Sequence, residues 1–199
     1  MTRSRAWRSY KPGVGVAVAP PVTRVRAAGV SVARTVLGLD PGSRATGYGV
    51  IEFGVGTPKY RCSGTIRATG ADFAARLREI HAGVVALMET YRPDEIAIER
   101  VFVNRNVDSA LKLGQARGAA LAATFAHPVA VHEYAPREVK LAVVGTGAAE
   151  KVQVQKMVTV LLGLKGRLGA DAADALAIGL CHIHRATPLG LLARHVERP

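Results

Sequence analysis

Residues 35–53 read TVLGLDPGSRATGYGVIEF, and the way this stretch divides sets the class of the fold. Thr35 to Asp40 is a short apolar run stopped by Pro41-Gly42, the pattern of a buried strand ended by a turn. Thr46 to Phe53 predicts a second strand and Lys59 to Ile66 a third, with Gly54-Val55-Gly56 turning between them. Strands this closely spaced predict a meander.

The period then changes. Phe73, Leu77, Ile80, Val84, Leu87, Met88 and Tyr91 recur at steps of three or four, which predicts an amphipathic helix behind an Asp72 cap. Pro93 closes that helix, and Glu95 to Glu99 predicts a fourth strand. A helix rich in small residues follows from about Asp108 to Ala126, then a fifth strand from Val129 to Tyr134. Arg137 to Val144, Glu150 to Leu162 and Ala170 to about His184 read as helices. Three strands, then alternating helix and strand, then helices predict an α/β layer fold with a mixed five-stranded sheet flanked by helices.

The chain has 199 residues, enough for one well-cored domain and short for two. Hydrophobic residues make up 49% of it, which excludes a wholly disordered chain. The longest apolar run, around Ala119 to Ala126, is far below the roughly 18 residues of a membrane helix, so a soluble protein is expected. The net charge of +12 points to a polyanionic partner, nucleic acid or an acidic membrane surface. Seven basic residues and no acidic one lie before Asp40, leaving 20 of the 27 basic residues against all 15 acidic ones in the remainder. Residues 1–34 have no sustained periodicity and read as a disordered basic extension: a transit peptide, a DNA-binding arm or the product of an upstream start codon. The domain is expected over 35–186, with 187–199 as a tail. Cys62 and Cys181 have neither disulfide-framework nor zinc spacing, which fits a reducing cytoplasm. Cys181-His182-Ile183-His184 has the composition of a metal cluster, but adjacent positions on a helix point to different faces, and an ordinary helix end is expected.

Four acids stand out. Asp40 closes the first strand and Glu99 the fourth, at the ends where open α/β sheets hold ligands. Closing a buried strand with an unpaired carboxylate costs several kcal/mol, so packing alone is a poor reason for it. Asp171 and Asp174 are three apart on the last helix and share a face. Such a group repels itself unless cations neutralise it, and hard divalent ions, Mg²⁺ above all, suit all-oxygen ligands. Taken singly, Asp40 could cap the Pro41-Gly42 turn, Glu99 could pair with Arg100 or Arg105, and Asp171 could start a helix.

The motifs LGLDPGSRATGYGV (37–50), AIERVFVNRNVDSALKLGQARG (97–118), VGTGAAEKVQVQ (144–155) and DAADALA (171–177) resemble, in this order, the RuvC family of bacterial Holliday-junction resolvases. The resemblance spans about 37–184. It implies a ribonuclease-H-like fold and a homodimer with one active site per subunit. It implies Asp40, Glu99, Asp171 and Asp174 as catalytic, metal-binding carboxylates, Mg²⁺ as two ions per site with Mn²⁺ substituting, and Phe102 as a probe of the junction centre. Lys140 and Lys151 match the active-site lysines of the family. The implied activity is symmetric nicking of two strands of like polarity in recombination and repair, alongside the RuvA–RuvB branch-migration complex. Arg100 departs from the uncharged polar residue that many relatives carry there.

Read from the residues alone, Phe102 in a polar stretch (Asn104, Arg105, Asn106) suits stacking on an unpaired base, or else a core position closing a loop. Arg105, Lys112, Lys140 and Lys151 are candidate phosphate contacts, and Ser109, Gln115 and Arg117 share the Lys112 helix. The small residues of 118–126 suit either a dimer seam or core packing. A ribosomal-RNA-processing nuclease shares the D-x-G opening but not the long second motif. A sugar-kinase or actin-like ATPase shares the phosphate loop but needs two such domains. A catalytically dead DNA-binding module would have no use for four acids.

Overall fold

The structure, a computed structural model, describes residues 33–54, 56–100 and 106–186. Its elements are β1 (Arg34–Asp40), β2 (Ala45–Phe53), β3 (Lys59–Arg67), α1 (Phe73–Tyr91), β4 (Glu95–Glu99), α2 (Val107–Ala122), β5 (Ala130–Tyr134), α3 (Pro136–Val144), α4 (Lys151–Leu161) and α5 (Ala170–Ala186). The sheet order is β3-β2-β1-β4-β5. The β1–β2 and β2–β3 pairs are antiparallel, as a meander requires, while β1–β4 and β4–β5 are parallel. The mixed five-stranded sheet expected from the sequence is therefore present.

Alternation along the strands builds two cores. Leu37, Leu39, Val50, Ile96 and Ile98 face α1 and α2, where they meet Ile80, Val84, Met88, Ala116 and Ala120. Val36, Ile51, Phe53 and Ala97 face α3, α4 and α5. Because side chains alternate, the residues sharing the second face include Asp40 on β1 and Glu99 on β4.

Local chemistry sets the helix ends. The Asp72 carboxylate accepts from the Ala75 amide at 2.7 Å, and Asn106 caps α2 by accepting from Ser109 at 3.2 Å. Pro136 opens α3, and the Glu138 side chain accepts from the Ala135 amide at 2.7 Å. The small-residue helix ends at Ala122 rather than Ala126. The Thr124 hydroxyl donates to the Leu121 carbonyl at 2.8 Å, the Thr124, Phe125 and His127 amides bond back three residues, and Pro128 then excludes further helix.

The cover of β1 and β2 by α5 depends on glycine. A Cβ on Gly38 would lie 2.1 Å from the Ala175 carbonyl oxygen, and one on Gly47 would lie 2.1 Å from that of Asp171. Gly38 and Gly49 are register partners, as are Asp40 and Gly47. The helix rests on bare strand backbone, and this close approach brings its first turn to the end of β1.

Candidate active site

Parallel pairing matches Leu39 with Ile98, so Asp40 and Glu99 are the next residues on adjacent strands and end them side by side. The turn after Asp40 is tied by Thr46, whose buried hydroxyl lies 3.4 Å from the Gly42 carbonyl and 3.5 Å from the Gly42 amide. Asp171 sits in the first turn of α5 over Gly47, and its carboxylate accepts from the Thr65 hydroxyl of β3 at 3.3 Å. Asp174, one turn on, accepts from Lys151 Nζ at 3.1 Å.

These groups interact. Burial, then the carboxylates of Glu99, Asp174 and Asp171, push the Asp40 carboxyl up to about 7, against the pull of the Lys151 ammonium. Burial and then Asp174 raise Glu99 above the usual carboxylate range, again opposed by Lys151. The hydrogen bond to Asp174 raises the Lys151 ammonium above its ordinary value. An aspartic acid half-protonated near neutrality marks a site short of positive charge.

The structure thus brings four of the acids and Lys151 together, from β1, β4, α4 and α5. Other expected site residues stand apart. Lys112 pairs with Asp108 one turn back on α2, at 2.6 Å. Lys140 is half-buried on α3 and, among the described residues, makes no ion pair with the cluster. Phe102 and Arg105 lie outside the described residues.

Arg117, grouped by sequence with a DNA-facing helix surface, turns inward instead. Its Nε donates to the Glu99 carbonyl at 3.3 Å and its Nη2 lies 2.6 Å from a Glu133 carboxylate oxygen. It therefore braces the end of β4 that carries Glu99. Thr65 was missed from sequence, since a threonine in a half-exposed strand has no distinguishing pattern. The two histidines near the end of α5 do point apart: His184 bonds to the Ala142 carbonyl, while His182 is buried against Tyr134 and Glu95.

A family model described as crossover junction endodeoxyribonuclease RuvC matches residues 36–182. A protein of that name from Methylococcus capsulatus is 53% identical over 163 residues, covering 82% of this chain and 98% of its own. One from Hahella chejuensis is 57% identical over 149 residues, covering 75% of this chain and 87% of its own. Among solved structures, T. thermophilus RuvC in complex with Holliday junction substrate superposes with a TM-score of 0.73 at 36% identity, covering 79% of this chain and 97% of that one. A five-stranded sheet in the order 3-2-1-4-5, the matched span and the identity over most of both chains lead to one assignment: this chain belongs to the RuvC family of crossover junction endodeoxyribonucleases, with the ribonuclease-H-like fold of that family.

Proposed function

We propose that this chain is a structure-selective endonuclease that resolves Holliday junctions, nicking two strands of like polarity symmetrically, with Asp40, Glu99, Asp171 and Asp174 as its catalytic carboxylates. The observation that carries this reading is the convergence of acids on the strand ends, where burial and then the neighbouring carboxylates lift Asp40 to about 7. The donor set is all carboxylate oxygen, which fits hard divalent ions: Mg²⁺, with Mn²⁺ as substitute. Two such ions, held by the four acids, would supply activation of water and stabilisation of the leaving oxygen in phosphodiester hydrolysis.

The chain's own part is placement. Asp40 and Glu99 end paired strands whose backbones are fixed by the sheet, so their spacing does not depend on a loop. Thr65 orients Asp171, and Arg117 anchors the backbone of Glu99. Lys151 reaches Asp174 while its side chain stays 82% exposed, which suits a second contact to a phosphate. Lys112 and Arg105 are assigned to DNA backbone contacts on their charge, and Lys140 to the active site and Phe102 to the junction centre as the family resemblance implies.

A homodimer accounts for paired nicks, one per subunit. Val107 and Leu111 support it: they are 67% and 62% exposed, one turn apart, and with Ala110 and Gly114 form an apolar stripe on α2. Ala120 and Ala123, within the small-residue segment read as a possible seam, are consumed by the chain's own core. The partner of the dimer beyond DNA is the RuvA–RuvB complex, and the compartment the cytoplasm. Both cysteines are thiols, and among the described residues no helix is long and apolar enough to cross a membrane.

Incubating a synthetic four-way junction with the protein tests this directly. Symmetric nicks are expected only with Mg²⁺ present, and a linear duplex of the same sequence should stay intact. Equal cutting of the linear duplex would overturn structure selection, and cutting in excess chelator would overturn the metal requirement.

A further inference from the structure

Glu95 is the first residue of β4 and Glu99 the last, so they lie about 13 Å apart along the strand. His182 is eight residues beyond Asp174 on α5, about 12 Å along the axis. At this far end of the sheet, one carboxylate oxygen of Glu95 and one nitrogen each of His132 and His182 lie within 4.8 Å of one another. His182 Nε2 is 2.6 Å and His132 Nε2 3.6 Å from the same Glu95 oxygen, Oε2. The two imidazole rings are 4.6 Å apart.

We propose that Glu95, His132 and His182 form a second metal site, distinct from the four carboxylates, for a borderline divalent transition ion such as Zn²⁺. Two imidazole nitrogens and one carboxylate oxygen are the ligand types such an ion prefers, whereas Mg²⁺ prefers oxygen alone. Bonds of about 2.0–2.1 Å in tetrahedral geometry separate ligand atoms by about 3.3 Å. The observed 2.6 and 3.6 Å to the Glu95 oxygen bracket that value, and the third pair of ligand atoms lies within 4.8 Å, so closing on an ion draws the two imidazoles together.

The surroundings supply what a bound ion requires. The Tyr134 hydroxyl bonds to His182 Nδ1 at 2.8 Å, fixing the ring with Nε2 toward the site. Arg34 Nη1 holds the other Glu95 oxygen, Oε1, at 2.6 Å, so Oε2 is the one turned to the imidazoles. His182 is 2% exposed and Glu95 14%, but the His132 side chain is 41% exposed and gives an ion a way in. Three protein ligands leave the fourth position to solvent. Metal-free, the same atoms keep the His182–Glu95 hydrogen bond, so the fold does not wait on the ion. Bound, it would clamp β4, β5 and α5 together behind the catalytic end.

The full chain, saturated with Mg²⁺ to fill the carboxylate cluster, is titrated with Zn²⁺ by calorimetry, and its melting temperature is followed. One equivalent of Zn²⁺ should bind and raise the melting temperature by several degrees. His132→Phe keeps a ring against His182 but removes the nitrogen. It should weaken Zn²⁺ binding by at least about tenfold and abolish the thermal shift, while Mg²⁺-dependent cleavage stays normal. Glu95→Gln should behave likewise towards Zn²⁺. With Co²⁺ as probe, the visible absorption of an imidazole-coordinated ion should appear in the wild type and vanish in His132→Phe. No Zn²⁺ binding over the Mg²⁺ background, or binding unchanged by His132→Phe, would overturn the proposal.

Discussion

At the scale of single residues, Asp40 is the side chain on which most depends. Asp40→Asn keeps its shape but removes a charge, so cleavage should be lost while junction binding is kept or slightly tightened; near wild-type cutting would refute the assignment. The raised pKa of the same group also sets a stability effect. In the folded state Asp40 holds its proton up to about 7, against an ordinary value of 3.8, so the folded form binds more protons across that window. Stability of the metal-free protein should therefore be fully present below the ordinary value and fall as pH rises through 7. Asp40→Asn in chelator should raise the melting temperature at pH 8 by several degrees and change little at pH 3.5, and saturating Mg²⁺ should erase the difference. Phe102→Ala tests a different step. If the ring stacks on an unpaired base in the cleavage-competent complex, cleavage should fall by about tenfold to a hundredfold with normal melting. A junction already opened by mismatches at its crossover should recover part of that rate. A core phenylalanine would instead cost about 3–5 kcal/mol of stability with no rescue. The four acids were legible in the sequence because each breaks a packing rule: a carboxylate ending an apolar strand, or two on an inward helix face. Thr65 and Arg117 break none, and only the fold reveals what they hold.

At the scale of elements, the contact between α5 and the strands decides where Asp171 stands. Gly47→Ala would drive a methyl into the Asp171 carbonyl, a backbone atom that cannot turn aside. A loss of about 1–3 kcal/mol is expected, with cleavage falling further than stability because the first turn of α5 is displaced. Gly49→Ala is the matched control. Its clashes are with the buried Leu176 side chain at 2.6 and 2.7 Å, while the α5 backbone at Leu176 Cα stands off at 3.1 Å. The helix need yield by only a few tenths of an ångström, and cleavage should suffer less than in Gly47→Ala. Equal effects of the two on cleavage would show that α5 tolerates displacement. Strand and helix boundaries were readable to within a residue or two where a cap or proline marked them, as at Asp72 and Pro93. The end of α2 was not, because alanines continue past Ala122 and the stop is made by turn hydrogen bonds at Thr124. The glycines of β1 and β2 were visible in the sequence, but nothing local says that a helix 124 to 137 residues away lies on them.

At the scale of the molecule, oligomeric state and the basic segment are the open variables. Leu111→Glu puts a charge in the exposed stripe of α2 and should shift the protein from dimer to monomer in sedimentation, with junction cleavage falling alongside. A dimer unaffected by that change would place the seam elsewhere. We propose that the domain proper begins at β1, whose first residue, Arg34, pairs with Glu95 and lies 4.5 Å over the Phe53 ring. Deleting residues 1–32 should therefore leave folding and cleavage intact while removing six basic residues. Each of those that touches a phosphate contributes about −0.9 to the log–log salt slope of binding, so a flatter slope would identify an arm and an unchanged one a passive appendage.

The sheet order carries one further consequence, for how the enzyme comes into being. The β1–β2–β3 meander is local and can form as soon as its residues are available. The central β1 must then wait for β4, about 60 residues later, and its other face for α5, which supplies half of the acids. Contacts of such long sequence separation form slowly, because loop closure comes before the stabilisation it permits. A partly made chain thus has Asp40 but neither Asp171 nor Asp174. Under the proposed assignment of the four acids, the site is complete only once α5 has docked, so a fragment truncated before Ala170 should not cut a junction.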